Sequence, residues 1–139
     1  MGRILAIDYG QKRIGLAVTD ELKIIASPLD TILVKDIHEF LKQYIAKNPV
    51  ELILVGLPKT LDNKPSESTP FVENFVSWLK NAFPQIPIER VDERFTSKMA
   101  FQSMIDSGIS KKARKDKALI DKISATIILQ SYMSSINTY

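Results

Sequence analysis

Four carboxylates in this sequence sit where a folded chain rarely leaves a charge alone. Asp8 closes the apolar run Ile4-Leu5-Ala6-Ile7, and Asp92 and Glu93 close Ile88 to Val91. Asp121 shares a helical face with Ala125, Ile128 and Tyr132 at i+4, i+7 and i+11. A run as apolar as Ile4 to Ile7 reads as a strand buried on both faces. A carboxylate at its end needs a basic side chain, a ring of backbone N–H groups or a metal ion, because an unpaired buried charge is very costly. A divalent metal would compensate several such groups at once, and oxygen-only ligands favour Mg²⁺ or Mn²⁺. The chain has no cysteine and one histidine, His38, inside a helical pattern, which argues against zinc. Two such ions about 4 Å apart clamp a phosphodiester for in-line hydrolysis.

Each carboxylate also has a plainer reading. Asp92-Glu93-Arg94 has the composition of a helix start with an internal ion pair. Asp121 could pair with Lys117 or Lys122 on a helix surface. Lys12 and Arg13 lie across a tight turn from Asp8, placed to pair with it or to meet phosphates, and Gly10 in that turn suits a positive φ. Between 111 and 122, Lys111, Lys112, Arg114, Lys115, Lys117 and Lys122 face only Asp116 and Asp121. Such a run is a solvated loop or a surface that follows a nucleic-acid backbone by charge.

The elements that would position these groups follow from periodicity. Ile4 to Ile7 and Ile14 to Val18 are strands joined by the charged turn. Ile24 to Ala26 and Thr31 to Val34 read as a third strand, broken around Pro28 and therefore at an edge or a bulge. Asp36 with Glu39 makes a capping-box pattern, and Ile37, Phe40, Leu41, Tyr44 and Ile45 form one helical stripe ended by Asn48-Pro49. Leu52 to Gly56 is a buried strand. A polar loop runs to about Ser68, and Thr69-Pro70 then opens a helix whose buried face is Phe71, Val72, Phe75, Val76 and Leu79. Ile88 to Val91 is the fifth strand, a helix runs from Thr96 or Ser97 to about Gly108, and the last spans about Lys117 to Ser135. The order β-β-β-α-β-α-β-α-α implies an α/β fold. Its mixed five-stranded sheet has antiparallel strands 1–3, parallel strands 4 and 5, and helices on both faces. Function in such sheets collects beyond the carboxyl ends of the parallel strands.

With 139 residues, no internal repeat and no linker, residues 1–139 are expected to form one domain. Composition is that of a soluble protein, with 45% hydrophobic and 25% charged residues. No run approaches a membrane span and no signal-peptide pattern opens the chain, so a cytoplasmic location with no membrane partner is expected. A net charge of +3 permits a nucleic-acid partner without requiring one.

Four blocks in order together resemble the YqgF family, also called RuvX, of the RNase H-like superfamily. They are Ile7 to Gly15; Val55-Gly56-Leu57-Pro58; Asp92-Glu93-Arg94-Phe95-Thr96-Ser97; and Asp121 with Ser124-Ala125 and Ile127 to Gln130. The resemblance implies an RNase H-like fold and a metal-dependent nuclease that matures the 5′ end of pre-16S ribosomal RNA. It places the acidic, metal-holding set on Asp8, Glu93 and Asp121, with Mg²⁺ or Mn²⁺ as cofactor. Lys12, Arg13 and Arg94 would then touch phosphates, and Lys111, Lys112, Arg114 and Lys115 would follow the nucleic acid. The alternative is Holliday junction resolution, by analogy with RuvC. RuvC-type enzymes carry an acid at the end of the fourth strand and a second one three residues after the helix aspartate. This chain has Val55-Gly56-Leu57 and Ser124 there, which favours pre-rRNA over branched DNA. A resolvase is expected to be a two-fold dimer, whereas a processing nuclease works as monomer or homodimer, here on ribosomal precursor particles. Two further readings are a non-catalytic RNA-binding assembly factor and an actin-like ATPase or sugar kinase. The last usually needs two such domains around a cleft.

Overall fold

The computed structural model describes residues 2–10, 12–57, 69–92 and 117–136. Five apolar runs pair into one sheet of order β3-β2-β1-β4-β5. The strands are β1 (Arg3–Tyr9), β2 (Arg13–Thr19), β3 (Ala26–Leu33), β4 (Val50–Leu57) and β5 (Ile88–Asp92). β1, β2 and β3 form an antiparallel meander, and β1, β4 and β5 run parallel. Helices α1 (Ile37–Lys47), α2 (Thr69–Ala82) and α3 (Lys117–Ile136) complete the described elements. This is the mixed five-stranded sheet expected from the sequence. None of the described helices is long and apolar enough to cross a membrane.

Strand alternation divides the core into two layers. Leu5 and Ile7 of β1, Leu16 of β2 and Ile53 and Val55 of β4 pack with Ile37 and Leu41 of α1 and with Val72, Phe75 and Leu79 of α2. The other face presents Ile4, Ala6, Ala17 and Leu54 to Ala125, Ile128 and Leu129 of α3. Alanines on both sides of that second seam let α3 lie close to the sheet. β1 is therefore buried on both faces, and truncating Leu5, which has no exposure, would cost on the order of 2–5 kcal/mol. Thr19 seals the start of β1. Its buried hydroxyl accepts the Ile4 N–H at 3.0 Å, while its carbonyl accepts Arg3 Nη1 at 3.0 Å.

Five local expectations need correction. β3 begins at Ala26, so Ile24 and Ile25 are not strand residues. The Asp20 carboxylate accepts both their N–H groups at 2.8 Å, fixing a turn that leaves both side chains exposed. Those amides, Ile25 first, hold the Asp20 carboxyl below its ordinary range. Pro28 does not break β3, but the expected edge and bulge are both there: β3 is an edge strand with a register shift opposite Leu16/Ala17 that absorbs the proline. Val34 opens a 3₁₀ turn, Val34–Asp36, instead of ending the strand. No capping box forms at α1. Asp36 is already helical at φ −107°, ψ −6° and makes no side-chain cap, and Glu39 instead accepts Gln43 Nε2 at 3.0 Å. Phe71 is not part of the buried face of α2: it is 53% exposed. The expected helix from Thr96 or Ser97 to Gly108, and the loop before Thr69, lie outside the described residues.

Candidate active site

β1 is the central strand, and its carboxyl end carries Asp8. Ile4 and Ala6 belong to the α3-side core, so alternation gives Asp8 to that same face and Tyr9 to the α1/α2 face. Asp8 is half-buried. Its partner across β2 is Gly15, and the register of β1 on β4 puts Gly56 one step beyond the Ile7–Val55 pair. Both flanking strands thus lack a side chain on Asp8's face, which clears room beside the carboxylate. Both glycines fall in the blocks that carry the family resemblance, and neither was read there for its missing side chain, although a glycine inside a strand signals such an approach.

Asp121 lies in the second turn of α3, and its backbone position can be traced from the far end of the helix. Tyr132 shares a cleft of about 380 Å³ with Ile4, Glu51 and Glu89, all at the amino ends of β1, β4 and β5. Burial, then the adjacent Glu89 carboxylate, pushes the Tyr132 phenol up. α3 therefore runs antiparallel to the parallel strands. Asp121 lies 11 residues before Tyr132, roughly 16 Å back along the helix. Asp8 lies roughly 13 Å along β1 from Ile4. The turn of α3 carrying Asp121 thus reaches the carboxyl edge at about the level of Asp8. It lies on the Ala125–Ile128–Tyr132 stripe that the spacing indicated. One turn on, Ser124 is 1% exposed and its Oγ has no hydrogen-bond partner among the described residues.

The turn between β1 and β2 is held by backbone contacts. Gly10 N–H donates to the Arg13 carbonyl at 2.9 Å. The need for glycine there is not the positive φ expected. A Cβ on Gly10 would stand 2.5 Å from the Arg13 carbonyl oxygen, so the constraint is close approach. Lys12 is exposed, and its carbonyl accepts the Val34 N–H at 3.0 Å, which docks the turn against the start of α1. Arg13 is half-buried at the start of β2. The structure thus brings Asp8, Lys12, Arg13 and the Asp121 turn to one edge of the sheet. Glu93 follows the last residue of β5, and it lies outside the described residues with Arg94, Lys111, Lys112, Arg114 and Lys115.

A mixed sheet in this order, with a carboxylate on its central strand and a helix crossing the same face, defines an RNase H-like fold. Two solved structures share it across nearly their whole length. The Fowlpox virus resolvase in complex with Holliday junction DNA aligns with a TM-score of 0.62 at 12% identity, covering 98% of this chain and 99% of that one. Thermus thermophilus RuvC in complex with a Holliday junction substrate aligns with a TM-score of 0.58 at 17% identity, covering 99% and 98%. Within that class the chain belongs to the RuvX family, whose model, described as "Holliday junction resolvase", matches residues 2–135. A Flavobacterium psychrophilum protein named "Putative pre-16S rRNA nuclease" is 60% identical over 134 residues, covering 96% of this chain and 98% of its own.

Proposed function

We propose that this chain hydrolyses phosphodiester bonds of RNA, with Asp8, Glu93 and Asp121 as its acidic set and the 5′ end of pre-16S ribosomal RNA as substrate. The observation that carries the site is the half-buried Asp8, on the face of the sheet that α3 crosses at the level of Asp121. Glu93 is taken over Asp92 as the third acid on the family resemblance of Asp92-Glu93-Arg94-Phe95-Thr96-Ser97. The choice of pre-rRNA is supported by the name of the 60%-identical relative.

The donor set fits a divalent cation. The groups are carboxylate oxygens, Gly15 and Gly56 leave Asp8's flanks clear, and Ala125 allows a close helix. Asp8, Glu93 and Asp121 would hold Mg²⁺ or Mn²⁺. When bound, such a cation stabilises charge on the phosphate and lowers the pKa of the attacking water. Lys12, Arg13 and Arg94 hold the backbone phosphates in place for in-line attack, and Lys111, Lys112, Arg114 and Lys115 follow the strand by charge. The enzyme works in the cytoplasm on ribosomal precursor particles.

Junction resolution is the second reading, favoured by the description of the family model. Gly56 at the edge of β4 and Ser124 on α3 stand against it, since RuvC-type enzymes carry acids there. The deciding experiment incubates a 5′-extended pre-16S RNA and a four-way DNA junction with the protein in Mg²⁺ or Mn²⁺. RNA cleavage is expected, and Asp8→Asn should slow it about a hundredfold or more while RNA still binds. Junction cleavage by a dimer would establish the second reading. RNA bound but uncut by the parent would make the chain an assembly factor.

A further inference from the structure

On the face of the sheet away from Asp8, the same edge holds an unusual concentration of rings. Tyr9, the residue after Asp8, meets Phe75 of α2 with centroids 4.8 Å apart. His38 of α1 stacks on Trp78 of α2 at 4.0 Å and 21°. Phe75 and Trp78 lie within 19° of parallel at 6.0 Å. These rings, with Phe71 and Asn74, line an open cleft of about 190 Å³. On α2 the four lining residues are at i, i+3, i+4 and i+7, one continuous stripe. The stripe continues past the buried Phe75 to Phe71, which is 53% exposed and joins none of these ring pairs among the described residues. Core packing explains Phe75. It does not explain an exposed phenylalanine at the mouth of a ring-lined cleft with an exposed amide, Asn74, beside it.

We propose that this cleft is a subsite for one unpaired nucleobase of the substrate strand. The inference rests on the nucleic-acid reading above and adds to it that the substrate presents a single-stranded nucleotide next to the bond that is cut. Every base has a π-face, and unpaired bases are held by stacking on aromatic side chains with hydrogen bonds to their edges. The cleft offers ring surface on most sides and the Asn74 amide, both donor and acceptor, for a base edge. Its position supplies the connection to the backbone. Tyr9 and Asp8 are adjacent on β1, so the cleft and the Asp8 carboxylate lie at one edge of the sheet on its two faces, and a strand that rounds this edge passes both. Lys12 is anchored through Val34 beside the start of α1, and Lys12 and Lys35 are exposed there for the flanking phosphates, with Asp36 the carboxylate of the intervening turn. A paired base could not enter, because its edge and both faces are already engaged in the duplex.

Trp78 is the chain's single tryptophan and reports on the cleft directly. Without divalent metal, to prevent cleavage, the protein is titrated with a single-stranded RNA of about 12 nucleotides, and with the same strand annealed to its complement. The single strand should quench Trp78 fluorescence and the duplex should not. Phe71→Ala should weaken single-strand binding about tenfold and leave duplex binding unchanged, since one base stack is lost. Phe71→Tyr keeps a stacking ring and should bind within about twofold of the parent. Because Phe71 is largely exposed, both variants should melt with the parent. Asn74→Ala, also at an exposed position, should change the preference among homopolymer strands. Single-strand binding without quenching, equally strong in Phe71→Ala but lost in Lys12→Ala, would overturn the subsite and leave the nuclease reading standing. Failure of the parent to bind either RNA would overturn both.

Discussion

Asp8 could be singled out in the sequence because its type contradicts its neighbourhood, a charge ending four apolar residues. Gly10, two positions on, was also picked out but for the wrong reason. The charged turn indicated a glycine and could not show whether φ or crowding required it. The structure makes it crowding, 2.5 Å from a backbone oxygen that has no room to move. Gly10→Ala is expected to destabilise the fold by about 1–3 kcal/mol through overpacking, read as a lower urea midpoint at unchanged m-value. Ser124 is the reverse case. Its hydroxyl is buried without a partner among the described residues, so Ser124→Ala should leave stability unchanged or raise it by about 1 kcal/mol in the same measurement. A loss of more than about 1 kcal/mol would show that the hydroxyl is engaged in the folded protein.

At the scale of elements, the strands of the inner sheet and helices α1 and α2 were readable, because each is either continuously apolar or has one clean stripe; α3, whose apolar residues are spread around it, was readable from its length and lack of breakers. Edges and joints were not. Ile24 and Ile25 look like strand residues, and only the carboxylate of Asp20, which captures their amides, makes them a turn. Phe71 looks like core by spacing, yet it is 53% exposed and lines an open cleft with Tyr9, His38 and Trp78. Thr19 shows how a joint is made by one hydroxyl. Thr19→Val removes the acceptor of the Ile4 N–H inside a dry core and should cost about 1–3 kcal/mol, whereas Thr19→Ser should cost less because the hydroxyl is kept. Equilibrium unfolding of both variants checks this, and equal losses would assign the effect to packing of the methyl group.

At the scale of the molecule, the carboxylates of the proposed site are distant in sequence, and the topology is what joins them. The resemblance named the acids, and alternation and helix direction then explain how Asp8 and the turn of Asp121 come to one edge. The three carboxylates of the proposed set would repel one another without metal. Asp121→Asn should therefore leave metal-free thermal stability unchanged or raised, abolish cleavage, and show a smaller rise in melting temperature on adding Mg²⁺ or Mn²⁺ than the parent does. Full activity in that variant would remove Asp121 from the site and return it to a pair with Lys117 or Lys122. The placement of Asp8 on β1 and Asp121 on α3 also has a consequence in time. The two are 113 residues apart (121 − 8), so a ribosome making about 5–20 residues per second adds the second some 6 to 23 s after the first. α3 packs on the face of the sheet that carries Asp8, so in the nascent chain the proposed site stays incomplete until that helix has been made. On the proposed reading, cleavage therefore waits until synthesis has passed Asp121.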